Sequence, residues 1–239
     1  VRESSVINVS DLTENKEELK LFPPLGCGFQ TGMGTVDLFA GAGKGNSVMI
    51  IGLGSVGLAA IAAYSSLFPT PALIDDLTFL QAAKNDGAHT IIGVDRFPAP
   101  LGVARELGAT HPGLDLSATI ESFTDGIGST ITVNTTGSIG LISARMEMTG
   151  PRGQMIILRV APADAELSIN LVSFLQFGKS FRGNIEGDVT LSTYIPKIIV
   201  WYRKGQFPLG KLIKFYPVKE FETALSNIKS GATVKPVLV

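Results

Sequence analysis

The stretch Gly52-Leu53-Gly54-Ser55-Val56-Gly57 constrains the fold more than any other part of the chain. It follows the apolar run "VMII", which we interpret as a buried strand, and we predict that a helix begins near Ser55. In such a unit the first glycine makes a tight turn, the second lets a pyrophosphate approach the backbone, and the third lets helix and strand pack closely. The motif is weak alone, because the chain has 27 glycines, but the strand and helix around it supply the required context.

Further apolar runs alternate with helical segments through the middle of the chain. Because these runs are apolar on both faces, they predict parallel strands that are covered on both sides. The sequence therefore predicts an α/β fold of the Rossmann type, with a doubly wound parallel sheet. The predicted strands after the first are His89–Val94, Ser129–Asn134, Gln154–Val160 and Ser180–Ile185.

An acidic residue, Asp95, ends the second predicted strand. In a dinucleotide-binding unit, a carboxylate at this place hydrogen-bonds the ribose hydroxyls of the cofactor. An acid there favours NAD over NADP, whose 2′-phosphate would meet a like charge, although the neighbouring Arg96 is one feature in favour of NADP. The alternative interpretation of Asp95 is an ordinary surface turn residue.

The distance from the glycine loop to this acid is unusual. Gly57 and Asp95 are 38 positions apart (95 − 57), where about 20 are expected. Removal of about residues 62–80 would restore the spacing, so we interpret this range as an insertion, with a retained intron as the hypothesis and an ordinary loop insertion as the alternative. Because Pro69 and Pro71 cannot continue a helix, we expect the first helix to end after about two turns.

The composition excludes several classes of protein. A net charge of −1 with 17% charged residues does not provide the basic surface that nucleic acids require. The single cysteine rules out an internal disulfide and indicates a reducing compartment, so we expect a cytoplasmic location. The uncharged range from Gly45 to Ile74 is long enough to cross a bilayer, but its glycines and prolines argue against a membrane span, and we expect none.

Three stretches together carry a resemblance to a known family. "PPLGCGFQTGMGTV", "VMIIGLGSVGLAAI" and "IIGVDRF…ARELGATH" resemble the zinc-dependent alcohol dehydrogenases of the medium-chain dehydrogenase/reductase superfamily, and most closely the fungal aryl-alcohol-type branch. The resemblance implies hydride transfer between an alcohol/aldehyde pair and NAD. It also implies remnants of a GroES-like catalytic domain at 1–30 and 188–239, on either side of a Rossmann domain at 31–187.

The resemblance assigns roles to individual residues. Cys27 matches a ligand of the catalytic zinc, and Thr31 matches a residue beside the nicotinamide. Lys235 matches a basic residue that reaches the pyrophosphate. The remaining matches are to cofactor-binding positions: Gly52, Gly54, Ser55, Val56, Gly57, Asp95, Thr135 and Leu158.

The chain also departs from the family pattern. Pro100 stands where the family has a basic residue on the adenosine ribose, and Arg159 stands where it has a glycine beside the nicotinamide. The family's other zinc ligands would lie upstream of Val1, so we expect zinc only together with an N-terminal domain and no complete catalytic set in this chain. We expect both histidines, His89 and His111, at the surface.

Two functions remain open. The chain is either the NAD-binding part of an alcohol dehydrogenase or a truncated, non-catalytic protein that binds dinucleotide or pairs with a homologue. The stretch Lys179–Ile185 occupies the place of the family's last sheet strand, which pairs with a second subunit, so the resemblance implies a homodimer or tetramer. The identity of the alcohol stays open.

Overall fold

The protein is built around one six-stranded sheet in which all strands are parallel. The computed structural model describes residues 6–68, 90–114, 120 and 124–239. The strand order is β3-β2-β1-β4-β5-β6, which is the order of the doubly wound dinucleotide-binding fold. This confirms the predicted fold class. The strands are β1 (Ser47–Ile51), β2 (Thr90–Val94), β3 (His111–Gly113), β4 (Ser129–Asn134), β5 (Thr149–Ile157) and β6 (Ser180–Gly183).

Helices cover both faces of this sheet. Val48 and Ile50 of β1 point into the larger core, to which the helices at Gly28–Gly34, Ser55–Leu67 and Leu191–Arg203 also contribute. Met49 and Ile51 point into a smaller core beside the helix at Ile139–Met148. This alternation follows from the two-residue period of a strand. The helices are α1 (Lys16–Leu21), α2 (Gly28–Gly34), α3 (Ser55–Leu67), α4 (Pro98–Glu106), α5 (Ile139–Met148), α6 (Leu171–Phe177), α7 (Leu191–Arg203), α8 (Leu209–Leu212) and α9 (Phe221–Lys229).

Helix α3 is longer than the sequence predicted. It continues to Leu67 instead of ending after about two turns, because Ala62, Ala63 and Tyr64 are fully buried in the larger core. The Tyr64 hydroxyl is also within hydrogen-bond distance of the carbonyl oxygens of Gly43 and Asn46, at 3.1 and 2.9 Å. The first three residues of the expected insertion therefore pack as core. From residue 69 on, including both prolines, the expected insertion lies outside the described residues, and the insertion stays a prediction.

The first segment of the chain packs against α7. Arg203 at the end of α7 donates to both carboxylate oxygens of Glu18, at 3.0 and 2.8 Å. Lys197 forms an ion pair with the buried Asp37 at 2.5 Å, and the Tyr194 hydroxyl donates to the same carboxylate oxygen. These contacts fix α1 and the turn that follows α2 onto α7, beside the central sheet.

The last segment forms a separate unit of two parallel strands and one helix, which we call the C-terminal unit: β7 (Ile213–Tyr216), α9 and β8 (Lys235–Leu238). Its centre is polar. The Tyr216 hydroxyl lies 2.7 Å from that of Thr233 and accepts a hydrogen bond from Asn227. This network holds the turn between α9 and β8 in place.

His111 differs from the expectation of a surface residue. It begins β3, where burial lowers the pKa of its imidazole to about 4. The prediction for His89 falls outside the described residues. Within the described ranges, no helix is both long and apolar enough to cross a membrane.

Candidate cofactor cleft

The three motif glycines meet three different steric demands. Gly52 has a φ of +89°, and a Cβ atom there would lie 2.4 Å from the Thr135 hydroxyl oxygen. A Cβ atom on Gly57 would lie 2.0 Å from the carbonyl oxygen of Gly52, so the start of α3 rests directly on the loop. A Cβ atom on Gly54, in contrast, would meet no atom within 4 Å. The loop is therefore closed toward the protein and open at its middle glycine.

A second helix packs against the first turn of α3. A Cβ atom on Gly32 of α2 would lie 2.0 Å from the Val56 carbonyl oxygen, and one on Gly28 would lie 3.0 Å from the Ser55 hydroxyl oxygen. Small residues at a helix crossing let the two backbones approach closely. Helix α2 thus fixes the first turn of α3, whose first N–H groups have no partner within the helix.

The carboxylate of Asp95 connects the loop to the end of β2. Its Oδ2 accepts a hydrogen bond from the Leu53 N–H at 2.6 Å, and its Oδ1 accepts one from the Phe97 N–H at 2.9 Å. A carboxylate oxygen can accept two hydrogen bonds, so each oxygen keeps one free position. Asp95 holds the loop in place and still has capacity to bind a hydroxyl donor.

A cleft with a volume of about 700 Å³ opens above this loop. It lies at the carboxyl ends of β1, β2 and β4, where the strand order reverses between β1 and β4, and ligands bind at such a point in doubly wound sheets. Its other wall comes from the C-terminal unit. Asp95 is the one acidic residue among the described lining residues, against four basic ones: Arg96, Arg145, Arg159 and Lys229. The cleft therefore favours an anionic ligand.

The predicted residues divide into two groups. Gly52, Gly54, Asp95 and Thr135 line the cleft together, and the Thr135 hydroxyl donates to the Gly52 carbonyl oxygen at 2.9 Å. The others stand behind or beside it. Ser55, Val56 and Gly57 form the first turn of α3, Leu158 follows β5 and bonds the Asn134 carbonyl, and Lys235 begins β8 next to the lining residue Val234.

The residues expected beside zinc and nicotinamide lie at the start of α2 and within it. Cys27 is exposed and precedes the first residue of the helix, and the buried Thr31 donates its hydroxyl proton to the Cys27 carbonyl at 2.8 Å. A catalytic zinc requires three protein ligands. Among the described residues there is no group of three or more His, Cys, Asp or Glu side chains that could hold a metal ion. Cys27 therefore does not form a zinc site with the side chains described.

Comparison with known proteins decides the family. Residues 77–201, just over half of the chain, match the family model described as zinc-binding dehydrogenase. Over its whole length, the chain is 32% identical to geraniol dehydrogenase of Castellaniella defragrans and covers 59% of that protein. Over 90% of its length, the chain is 29% identical to the class-3 alcohol dehydrogenase of Dictyostelium discoideum and covers 54% of that protein. This chain belongs to the zinc-binding dehydrogenase family. It spans a little over half the length of these relatives.

Solved structures of the family have the same fold. Benzyl alcohol dehydrogenase from Acinetobacter calcoaceticus superposes with a TM-score of 0.80 at 29% identity, over 95% of this chain and 58% of that one. A zinc-binding alcohol dehydrogenase domain protein from Burkholderia ambifaria gives a TM-score of 0.78 at 32% identity, over 92% of this chain and 55% of that one. These neighbours and relatives confirm the predicted family of alcohol dehydrogenase oxidoreductases. The fungal aryl-alcohol branch stays a prediction.

Several lining residues of this family member were not predicted. Ser138, Leu141 and Arg145 line the cleft from one side of α5, at the three- and four-residue spacing that places side chains on one helix face. That spacing is a weak signal, because most amphipathic helices show it. Lys229 comes from the C-terminal unit, and no local motif connects it with the glycine loop.

Proposed function

We propose that this chain is the NAD-binding part of a zinc- and NAD-dependent alcohol dehydrogenase-type oxidoreductase, which transfers hydride between an alcohol/aldehyde pair and NAD. One observation carries the proposal: the open middle glycine, Gly54, faces a cleft that also contains the Asp95 carboxylate. The names of the relatives support the reaction class, since they include geraniol and alcohol dehydrogenases. Small alcohols or aldehydes are the proposed substrates.

The residues of the cleft match the parts of the proposed cofactor. The phosphates would bind at Gly54, where backbone N–H groups and the partial positive charge of the α3 N-terminus favour an anion. The free positions on Asp95 would accept the ribose hydroxyls, and its charge would repel the 2′-phosphate of NADP. The nicotinamide would lie toward Thr135, Leu158 and Thr31. When bound, the cofactor supplies the hydride acceptor, and the protein supplies binding and orientation.

Zinc does not fit the side chains described, since Cys27 has no partner group for a three-ligand site. We therefore derive no step through zinc. This observation favours a second candidate function for the chain by itself, a non-catalytic module that binds the dinucleotide or pairs with a homologue.

Pairing through the last strand is part of the proposal. Strand β6 is an edge of the sheet, and an unpaired edge strand can accept a strand from a second chain. Beside it, Leu171 and Leu175 of α6 are 77% and 81% exposed. A homodimer or tetramer through this edge, and a cytoplasmic location, remain predictions.

Isothermal titration calorimetry with NAD⁺ and NADP⁺ tests the cofactor. We expect the wild type to bind NAD⁺ more tightly, and Asp95→Asn to lower the affinity for NAD⁺ about tenfold or more, as for the loss of a hydrogen bond to a charged group. NADP⁺ should lose less affinity, because the variant removes the charge that repels its 2′-phosphate. Asp164→Asn, at an exposed position outside the cleft, is the matched control. A wild type that binds neither nucleotide would contradict the proposal.

A second measurement separates the two candidate functions. The protein is incubated with NAD⁺, zinc and benzyl alcohol, and NADH formation is followed at 340 nm. Turnover that a chelator abolishes supports the enzyme. Tight NAD⁺ binding without turnover supports the non-catalytic module.

A further inference from the structure

Arg159 differs from the other basic residues of the cleft by its place in the sheet. It follows the end of β5 by two residues, whereas Arg96 follows β2, Arg145 lies on α5 and Lys229 lies on α9. Among the described lining residues, Arg159 is therefore the one cation at a strand end in the half of the sheet that β4, β5 and β6 form. Asp95, at the end of β2, belongs to the other half.

A close contact holds the stem of this arginine over the loop that follows β4. A Cβ atom on Gly137 would lie 3.3 Å from the Cγ and 3.4 Å from the Cδ of Arg159. Gly137 has a φ of +67°, in the left-handed region that favours glycine. Thr135, two residues before Gly137, lines the cleft. The arginine stem therefore runs along the wall of the cleft, at the loop that contains Thr135.

The charge at the end of this stem has no counter-ion among the described residues. Arg159 is exposed and takes part in none of their ion pairs or side-chain hydrogen bonds. Arg145, in contrast, donates to the Met148 sulfur at 3.1 Å, and the Arg96 guanidinium lies 4.6 Å from the centre of the Phe97 ring. Because an arginine does not lose its proton in proteins, this half of the cleft keeps a full positive charge.

This charge lies in the half of the cleft where the redox chemistry of the proposed cofactor takes place. Each half of a doubly wound sheet binds one nucleotide. Since Asp95 would bind the adenosine ribose, the half with Arg159 would bind the nicotinamide nucleotide. The nicotinamide ring is positively charged in NAD⁺ and neutral in NADH, whereas the phosphates and riboses of the two forms are identical. A fixed positive charge beside the ring therefore repels only the oxidised form.

We propose that Arg159 makes the cleft discriminate between the two redox states of the cofactor, in favour of NADH over NAD⁺. The inference rests on the proposed function, since it requires a dinucleotide in this cleft. Tighter binding of the reduced form raises the reduction potential of the bound couple, by about 30 mV for each tenfold difference between the two affinities. Arg159 is thus a specificity-determining residue that favours hydride transfer to the bound cofactor.

The test is the ratio of the dissociation constant of NAD⁺ to that of NADH, measured by calorimetric titration. Arg159→Gln removes the charge and keeps most of the stem, whereas Arg159→Lys keeps the charge. We expect Arg159→Gln to lower the ratio about three- to tenfold, between the effects of exposed and of desolvated charge pairs, and Arg159→Lys to keep it near the wild-type value. Arg152→Gln is the matched control, because Arg152 is exposed on the same strand and lies outside the cleft.

ADP-ribose separates the charge of the ring from every other contact of Arg159, because it has the diphosphate and both riboses but no nicotinamide. An equal change for ADP-ribose, NAD⁺ and NADH in Arg159→Gln leaves the ratio as it was and overturns the inference, while the proposed function stands. An equal decrease of the ratio in Arg159→Lys and Arg159→Gln also overturns it, since shape and not charge would then decide. If the wild type binds neither NAD⁺ nor NADH, the proposed function falls, and this inference falls with it.

Discussion

Replacement of Gly54 by alanine is expected to separate cofactor binding from folding. Gly54 caps α3 with φ −75° and ψ −167°, which an alanine adopts without strain, and the new methyl group would meet no protein atom within 4 Å. The loss of the glycine cap and the lower entropy of the unfolded chain nearly offset each other. We expect the free energy of unfolding to change by less than about 0.5 kcal/mol.

Binding is expected to respond differently, because the methyl group occupies the space that the phosphates would enter. Crowding by one extra methyl group in a close-packed site costs about 1–3 kcal/mol, which weakens NAD⁺ binding roughly 5- to 150-fold. Urea unfolding and calorimetric titration of the same preparation measure the two effects side by side.

Gly57→Ala is the matched comparison one turn away. Its methyl group would lie 2.0 Å from the Gly52 carbonyl oxygen, so α3 must move, and both stability and binding are expected to decrease. If Gly54→Ala binds NAD⁺ as tightly as the wild type, the phosphates do not approach the backbone at this glycine, and the assignment of the cleft is wrong.

Two further predictions concern stability. Tyr64→Phe removes a hydroxyl that lies 3.1 and 2.9 Å from two carbonyl oxygens. We expect the variant to lower the free energy of unfolding by about 1 kcal/mol, measured by urea unfolding. An unchanged midpoint would contradict this, and would mean that water takes the place of the tyrosine hydroxyl. Burial lowers the pKa of His111 from 6.5 to about 4, so the folded state binds fewer protons than the unfolded state between these values, and the wild type is expected to lose stability as the pH falls from about 6.5 to 4. His111→Gln should reduce this loss when unfolding is followed at pH 7 and pH 4.5, and an identical pH dependence in the two proteins would refute the assignment.

The strong periodic signals predicted the sheet, and the weak ones were missed. The strands that begin at Ser47, Ser129 and Ser180 were predicted because their apolar runs are continuous and several residues long. Strand β3 has three residues, one of them proline, and strand β7 exposes two of its four residues. Neither has a pattern that distinguishes it from a loop, and their pairing depends on neighbours distant in sequence.

The length of α3 shows why local rules failed at one point. The prolines led to an early helix end, but Pro69 lies beyond the last helical residue, Leu67. The buried face from Ala62 to Tyr64 continues the helix, because tertiary packing supplies most helical stability in proteins. At the site, the glycine motif indicated the loop, whereas Lys229 lines the cleft from the C-terminal unit, and no sequence spacing connects that unit with the loop.

The position of Cys27 makes the protein suitable for site-specific labelling. It is the only cysteine in the chain, its side chain is exposed, and it precedes α2, whose Gly28 packs against Ser55 at the start of the cofactor loop. A maleimide dye would therefore attach at one known point without any engineered thiol. Because that point is next to the helix pair on which the loop rests, the dye would lie beside the start of the cofactor loop.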